Sequence, residues 1–143
     1  MSLKDGTKKM SKSDRSEYSK LLLTDSADMI QEKLLRAKTD SIMGVTYDLD
    51  NRPEVANLLT IFSVLSGRSI NQICQQFADK DMLIFKKALL EILVEKIVPI
   101  GKKIEEYQKD KPYMLKVLNQ GSDKARDIAT ETLREVKTLM GLV

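Results

Sequence analysis

The chain has 143 residues, 42% hydrophobic and 31% charged, which places it in the globular range and away from disordered or fibrous composition. With no histidine and a single cysteine, Cys74, it excludes histidine-dependent triads, most zinc sites and an internal disulfide, and any metal would need carboxylates alone. The formal net charge of +3 is unevenly spread: residues 1–20 hold six Lys/Arg against three Asp/Glu, and the rest balances at 18 of each.

In chain order the first element is a Gly/Ser/Lys-rich head, residues 1–23, with few apolar anchors. It reads as a flexible loop suited to a phosphate-bearing ligand rather than as part of a wholly basic nucleic-acid domain. No apolar run follows its cations, so a secretory signal is not supported, and no stretch approaches the ~20 apolar residues that span a bilayer. The expected location is cytoplasmic.

From residue 24 to 143 the pattern predicts helices in series, an all-α, bundle-like domain. The first starts at Asp25 or Ser26 and runs to about Lys38, with Ala27, Ile30, Leu34 and Ala37 on one face. A loop over 39–52 follows, with Gly44 and Asp50-Asn51 as breakers and a short extended piece at Val45–Tyr47. Pro53 opens the second helix and Gly67 closes it, with Val55, Leu58, Leu59, Phe62 and Leu65 forming a core-facing stripe. Ser69 to Gln72 spells a capping box for a short helix that turns Ile70, Ile73, Cys74 and Phe77 inward.

Asp81 caps a long helix that continues, with a kink, past Pro99 to Tyr107. Pro112 opens a short helix that buries Leu115 and Leu118 and stops at Gly121. Ser122 then caps a last helix bearing Ala125, Ile128, Leu133, Val136 and Met140, ended by Gly141. Four dispersed tyrosines and no tryptophan leave no obvious base-stacking platform.

The head contains the pentapeptide Lys9-Met10-Ser11-Lys12-Ser13, followed by Asp14. Lys9 and Lys12 stand at i and i+3, where a tight turn brings two ammonium groups to one side. Ser11 and Ser13 add hydroxyl and backbone donors for phosphate oxygens.

This run, KMSKS, is a signature of class I aminoacyl-tRNA synthetases. Together with Leu23–Asp25, Ala37–Ser41, Pro53–Gly67, Gly121–Arg126 and Met140–Leu142, it resembles the tryptophan-specific branch over essentially the whole chain. The tyrosine-specific relatives are a weaker match. The resemblance implies ATP-dependent activation of tryptophan and its attachment to tRNA(Trp), with Lys9 and Lys12 catalytic and Lys9, Met10, Ser11, Lys12 and Ser13 binding ATP. It also implies Mg2+ arriving with ATP, no protein-bound metal, a homodimeric parent enzyme, and residues 24–143 as a helical domain of the anticodon-binding type.

Two departures stand out. Arg15 replaces a proline common after the motif's aspartate, and without histidine there can be no HIGH motif. The implied parent therefore carries a separate α/β Rossmann domain, and this chain alone is expected to be inactive. The alternative is a non-catalytic helical module that binds tRNA or protein; the balanced charge after residue 20 argues against tight unaided RNA binding.

Overall fold

The computed structural model describes residues 1–142, and its regular secondary structure is all helical, with no strand among the described residues. Five α-helices follow a single 3-10 turn at Glu17–Ser19: α1 Ala27–Arg36, α2 Pro53–Ser66, α3 Ile70–Gln76, α4 Met82–Lys109 and α5 Lys111–Leu139. The all-α class is thus borne out. The extended piece expected at Val45–Tyr47 forms no strand.

Most helix limits follow from the local signals that predict them. The Ser26 hydroxyl accepts from the Met29 N–H and starts α1. α2 opens on Pro53, and Gly67 ends it in the left-handed region at φ 70°. Ser69 and Gln72 close a reciprocal capping box on α3, and Asp81 accepts from the Ile84 N–H at 2.8 Å at the start of α4. α4 runs unbroken through Pro99 for 28 residues, so one helix rather than two spans that proline.

The division into a short and a last helix does not hold. α5 is a single 29-residue helix capped by Asp110, and Gly121 lies in its middle rather than at a stop. Gly121 does not take the positive φ that ends a helix, whereas Gly141 does and closes α5. A mid-helix glycine costs only about 1 kcal/mol relative to alanine. The good helix formers on both sides of Gly121, such as Leu118, Gln120, Lys124 and Ala125, outweigh it. The Leu142 and Gly141 N–H groups bond back to Lys137 and Thr138 carbonyls, the paired bonds of a Schellman end.

The chain divides into two compact units, Met1–Lys102 and Lys103–Val143. In the first unit, α1–α4 enclose one core. Phe62, Phe77 and Phe85 meet at its centre with ring centroids 5.4–6.0 Å apart, surrounded by Ile30, Leu34, Leu58, Leu59, Ile73, Leu89 and Leu93. Each aromatic pair adds about 0.5–1.5 kcal/mol beyond its area burial. In the second unit no residue of α5 is buried: Leu115, Leu118, Ile128 and Leu133 are all exposed, contrary to the inward placement expected for the first two. Tyr107 and Tyr113 stack there at 5.9 Å.

The head belongs to the first unit rather than hanging from it. Leu3 is 2% exposed and joins the core. Its N–H donates to the Ser19 carbonyl and its carbonyl accepts from the Lys38 N–H, both at 2.9 Å. The Asn57 side-chain amide of α2 donates to the carbonyls of Met1 and Ser2. Gly6 lies so close to the start of α2 that a Cβ there would sit 2.4 Å from the Pro53 carbonyl. A wholly loose head is therefore replaced by one anchored at both ends, because Leu3 and the backbone around it supply the apolar and hydrogen-bonding contacts that composition alone concealed.

Candidate functional site

Between the two anchors the head projects a short loop. Asp5 shapes the approach to it: its carboxylate accepts from the Thr7 hydroxyl at 2.6 Å and the Thr7 N–H at 3.1 Å, and pairs with Lys8 at 3.0 Å. These donors, the Thr7 hydroxyl first, hold the Asp5 carboxyl down to about 2. The Ser2 N–H then donates to the Lys8 carbonyl at 2.8 Å and closes residues 2–8 on themselves.

The pentapeptide follows. Lys9, Ser11, Lys12 and Ser13 are exposed, while Met10 is half-buried and packs against the core. Met10 is thus the apolar pin of the loop, and the polar motif side chains stand around it. The Asp14 N–H donates to the Ser11 carbonyl at 3.2 Å, making a turn with Lys12 and Ser13 at its corners, and the Ser11 and Ser13 hydroxyls lie 3.0 Å apart. The Asp14 carboxylate accepts from the Ser16 N–H at 2.8 Å, and this bond is the main cause of its lowered pKa. Arg15 is exposed next to the turn.

Three contacts that local patterns did not reveal tie the loop down. The Lys20 ammonium is buried and donates to the carbonyls of Lys12 at 3.0 Å and Asp14 at 2.7 Å, and it pairs with Glu17 at 3.0 Å. The Tyr18 hydroxyl donates to Glu32 of α1 at 3.1 Å, with the Arg36 guanidinium 4.2 Å from its ring centroid. Asp25, which accepts from the Leu22 N–H, receives the buried Lys33 ammonium at 2.7 and 2.8 Å. The only sequence hint of these roles was a charged residue set among leucines, which is also how a surface lysine reads.

Chemically, the loop offers exposed ammonium groups and hydroxyls on a backbone held from behind. Such an arrangement can take negative charge on phosphate oxygens as a group departs. Cys74 is half-buried with its thiol pKa pushed up by burial, so it takes no part as a thiolate. No group of three or more His, Cys, Asp or Glu side chains able to hold a metal occurs among the described residues.

Residues 1–96 match the family model described as tRNA synthetases class I (W and Y). The chain belongs to that family. It is 46% identical over 143 residues to a tryptophan–tRNA ligase of Rickettsia conorii, covering all of this chain and 43% of that protein. It is 45% identical over 142 residues to a mitochondrial tryptophan–tRNA ligase of Dictyostelium discoideum, covering 99% of this chain and 38% of the other. Its fold matches the crystal structure of tryptophanyl-tRNA synthetase from Mycoplasma pneumoniae with a TM-score of 0.81 and 31% identity, over 100% of this chain and 43% of that one. The chain thus spans less than half the length of these relatives, and its likeness to the tryptophan-specific branch extends over all of it. No helix is long and apolar enough to cross a membrane among the described residues.

Proposed function

We propose that this chain supplies the KMSKS loop and the helical domain of a tryptophan–tRNA ligase. The enzyme it serves activates tryptophan with ATP and Mg2+, transfers it to tRNA(Trp), and acts as a homodimer in the cytoplasm. The observation that carries this reading is the loop itself. Four of the five motif residues stand exposed on a turn whose backbone is held from behind, and the fifth, Met10, pins it to the core.

Activation is an in-line attack of the tryptophan carboxylate on the α-phosphate of ATP, with pyrophosphate leaving. Catalysis of such a step rests on positioning and on neutralising the charge that develops on the leaving group. Lys9 and Lys12 supply compact cations for that charge, and Ser11 and Ser13 supply hydroxyl and backbone donors. The helical residues after the loop present the surface for the tRNA. The second unit carries eight Lys/Arg against seven Asp/Glu from residue 103 onward. So even a charge balance favours a partner held with help from the rest of the enzyme over a free-standing RNA binder.

The test is tryptophan-dependent pyrophosphate exchange. The chain alone should be inactive, because it has no histidine for a HIGH motif, and adding a separately expressed amino-terminal portion should restore exchange. In the restored enzyme Lys9→Ala or Lys12→Ala should slow activation at saturating ATP by ~10²–10³, the scale of losing one preorganised donor. Tryptophan binding should hardly change. If both variants keep the saturated rate and only the Michaelis constant for ATP rises, the lysines gather ATP and do not serve the transition state.

A further inference from the structure

We propose that Lys20, outside the pentapeptide, is the positioning residue that sets the motif turn and through it the reach of Lys12. The inference rests on the assignment of Lys12 to the departing pyrophosphate.

Lys20 differs from the other cations of the head in being 4% exposed. A nucleotide on the exposed side of the loop cannot reach its ammonium, and the ammonium's needs are met within the chain. An ammonium has three N–H donors, and Lys20 has three acceptors: the Lys12 carbonyl at 3.0 Å, the Asp14 carbonyl at 2.7 Å and a Glu17 carboxylate oxygen at 3.0 Å. Two of these belong to the turn that carries Lys12. The Glu17 carboxylate also balances the buried charge, so that Lys20 adds no cation to the exposed face.

The other end of the staple is fixed. Lys20 has extended backbone at φ −138° and ψ 150°, directly after the 3-10 turn. Its neighbour Ser19 is buried and bonded to the Leu3 backbone. Without Lys20, the turn would keep only the Asp14–Ser11 backbone bond, the Ser11–Ser13 hydroxyl contact and the Ser16–Asp14 bond, all of them internal to the loop. Nothing polar would then tie the carbonyls at 12 and 14 to the helical unit. Met10 would pin the turn on one side only.

A staple acting through Lys12 has a kinetic signature that a merely stabilising residue lacks. In the complete enzyme, Lys20→Met should slow single-turnover activation by about 10- to 100-fold, the range for a catalytic group displaced by about 1 Å, with the Michaelis constants within a few-fold of wild type. Lys20→Met combined with Lys12→Ala should be no slower than Lys12→Ala alone, because the second loss is already contained in the first. In the present chain, amide exchange at residues 11–16 should accelerate in Lys20→Met while α2 and α3 stay protected, which separates a freed loop from an unfolded unit. A wild-type rate for Lys20→Met, or losses that multiply in the double variant, would overturn the proposal. An unchanged rate for Lys12→Ala itself would instead remove the assignment of Lys12 on which it stands.

Discussion

The Asp25–Lys33 pair is the contact whose removal is most informative about how the loop is joined to the helices. Its side chains are 7% and 1% exposed, both carboxylate oxygens lie within 2.8 Å of the ammonium, and the Leu22 N–H is the carboxylate's other donor. Lys33→Met leaves a buried carboxylate with one hydrogen bond, and Asp25→Asn leaves a buried ammonium facing an amide oxygen. Breaking a buried pair from one side costs about 3–5 kcal/mol. A unit of this size has roughly 5–15 kcal/mol in total, so each single variant forfeits a large share of its stability. At about 4–8 °C per kcal/mol, the thermal midpoint of the first unit should fall by at least ~12 °C.

The double variant should be less damaged than either single one, because a neutral replacement of similar volume avoids the cost of stripping water from two charges. Urea unfolding followed by far-UV circular dichroism at neutral pH measures all three. Single losses under ~1 kcal/mol, or a double variant whose loss equals the sum of the two, would refute the reasoning, since neither fits a pair that is desolvated and coupled.

Stability should also depend on acid pH in a direction set by two carboxylates. Hydrogen bonds from Arg52 lower the Asp40 pKa, and the Lys38 hydrogen bond lowers that of Glu54. Their contribution is complete above the ordinary carboxylate range and is lost as pH falls through the lowered values, so the urea midpoint should be flat above about pH 5 and decline below it; Arg52→Met should flatten that decline. Gly44→Ala should destabilise the first unit, because Gly44 has φ +80° and a Cβ there would meet the Ala78 carbonyl oxygen at 2.1 Å; an unchanged thermal midpoint would contradict the close approach. Gly121→Ala should have the opposite sign, gaining about 0.5–1 kcal/mol of helix stability because a Cβ there meets nothing within 4 Å; slower amide exchange along α5 is the measure.

What the sequence disclosed and what it hid divide along the range of the interactions. Caps are local: Ser26, Pro53 and Gly67, the Ser69–Gln72 box and Asp81 each act within a few residues, and each was legible. The KMSKS run is local as well, and together with the segments matched along the rest of the chain it pointed to the family. Gly121 misled because a glycine that could end a helix and one that merely weakens it look the same until φ is known. In sequence Arg52 is only the last residue of the 39–52 loop. Yet it is 4% exposed and spends its guanidinium on Asp40, Thr46 and the carbonyls of Ile42 and Gly44, holding the 39–52 loop from inside. No periodicity announces that, because its partners lie 6 to 12 residues away on irregular backbone.

The same sorting changes what the charge count means. Six cations in the first 20 residues suggested a basic head, but the structure gives three of them other work. Lys20 is buried on carbonyls, Lys8 pairs with Asp5, and Lys4 donates to Ser16. Elsewhere Lys86 is likewise buried, its ammonium 2.7 Å from the Ala37 carbonyl just past the end of α1, where a cation suits the helix dipole. Lys20, Lys86 and Arg52 thus donate to carbonyls at turns, loops and a helix end, whereas the buried Lys33 is spent on the Asp25 carboxylate. Among the described residues, the head cations that remain exposed with neither a carboxylate nor a hydroxyl partner are Lys9, Lys12 and Arg15. Three cations on one short loop suit a compact phosphate tail and fall short of the extended patch that a nucleic-acid backbone requires. For the proposed enzyme, the head is then an instrument for ATP, and contact with tRNA falls to the surfaces beyond it.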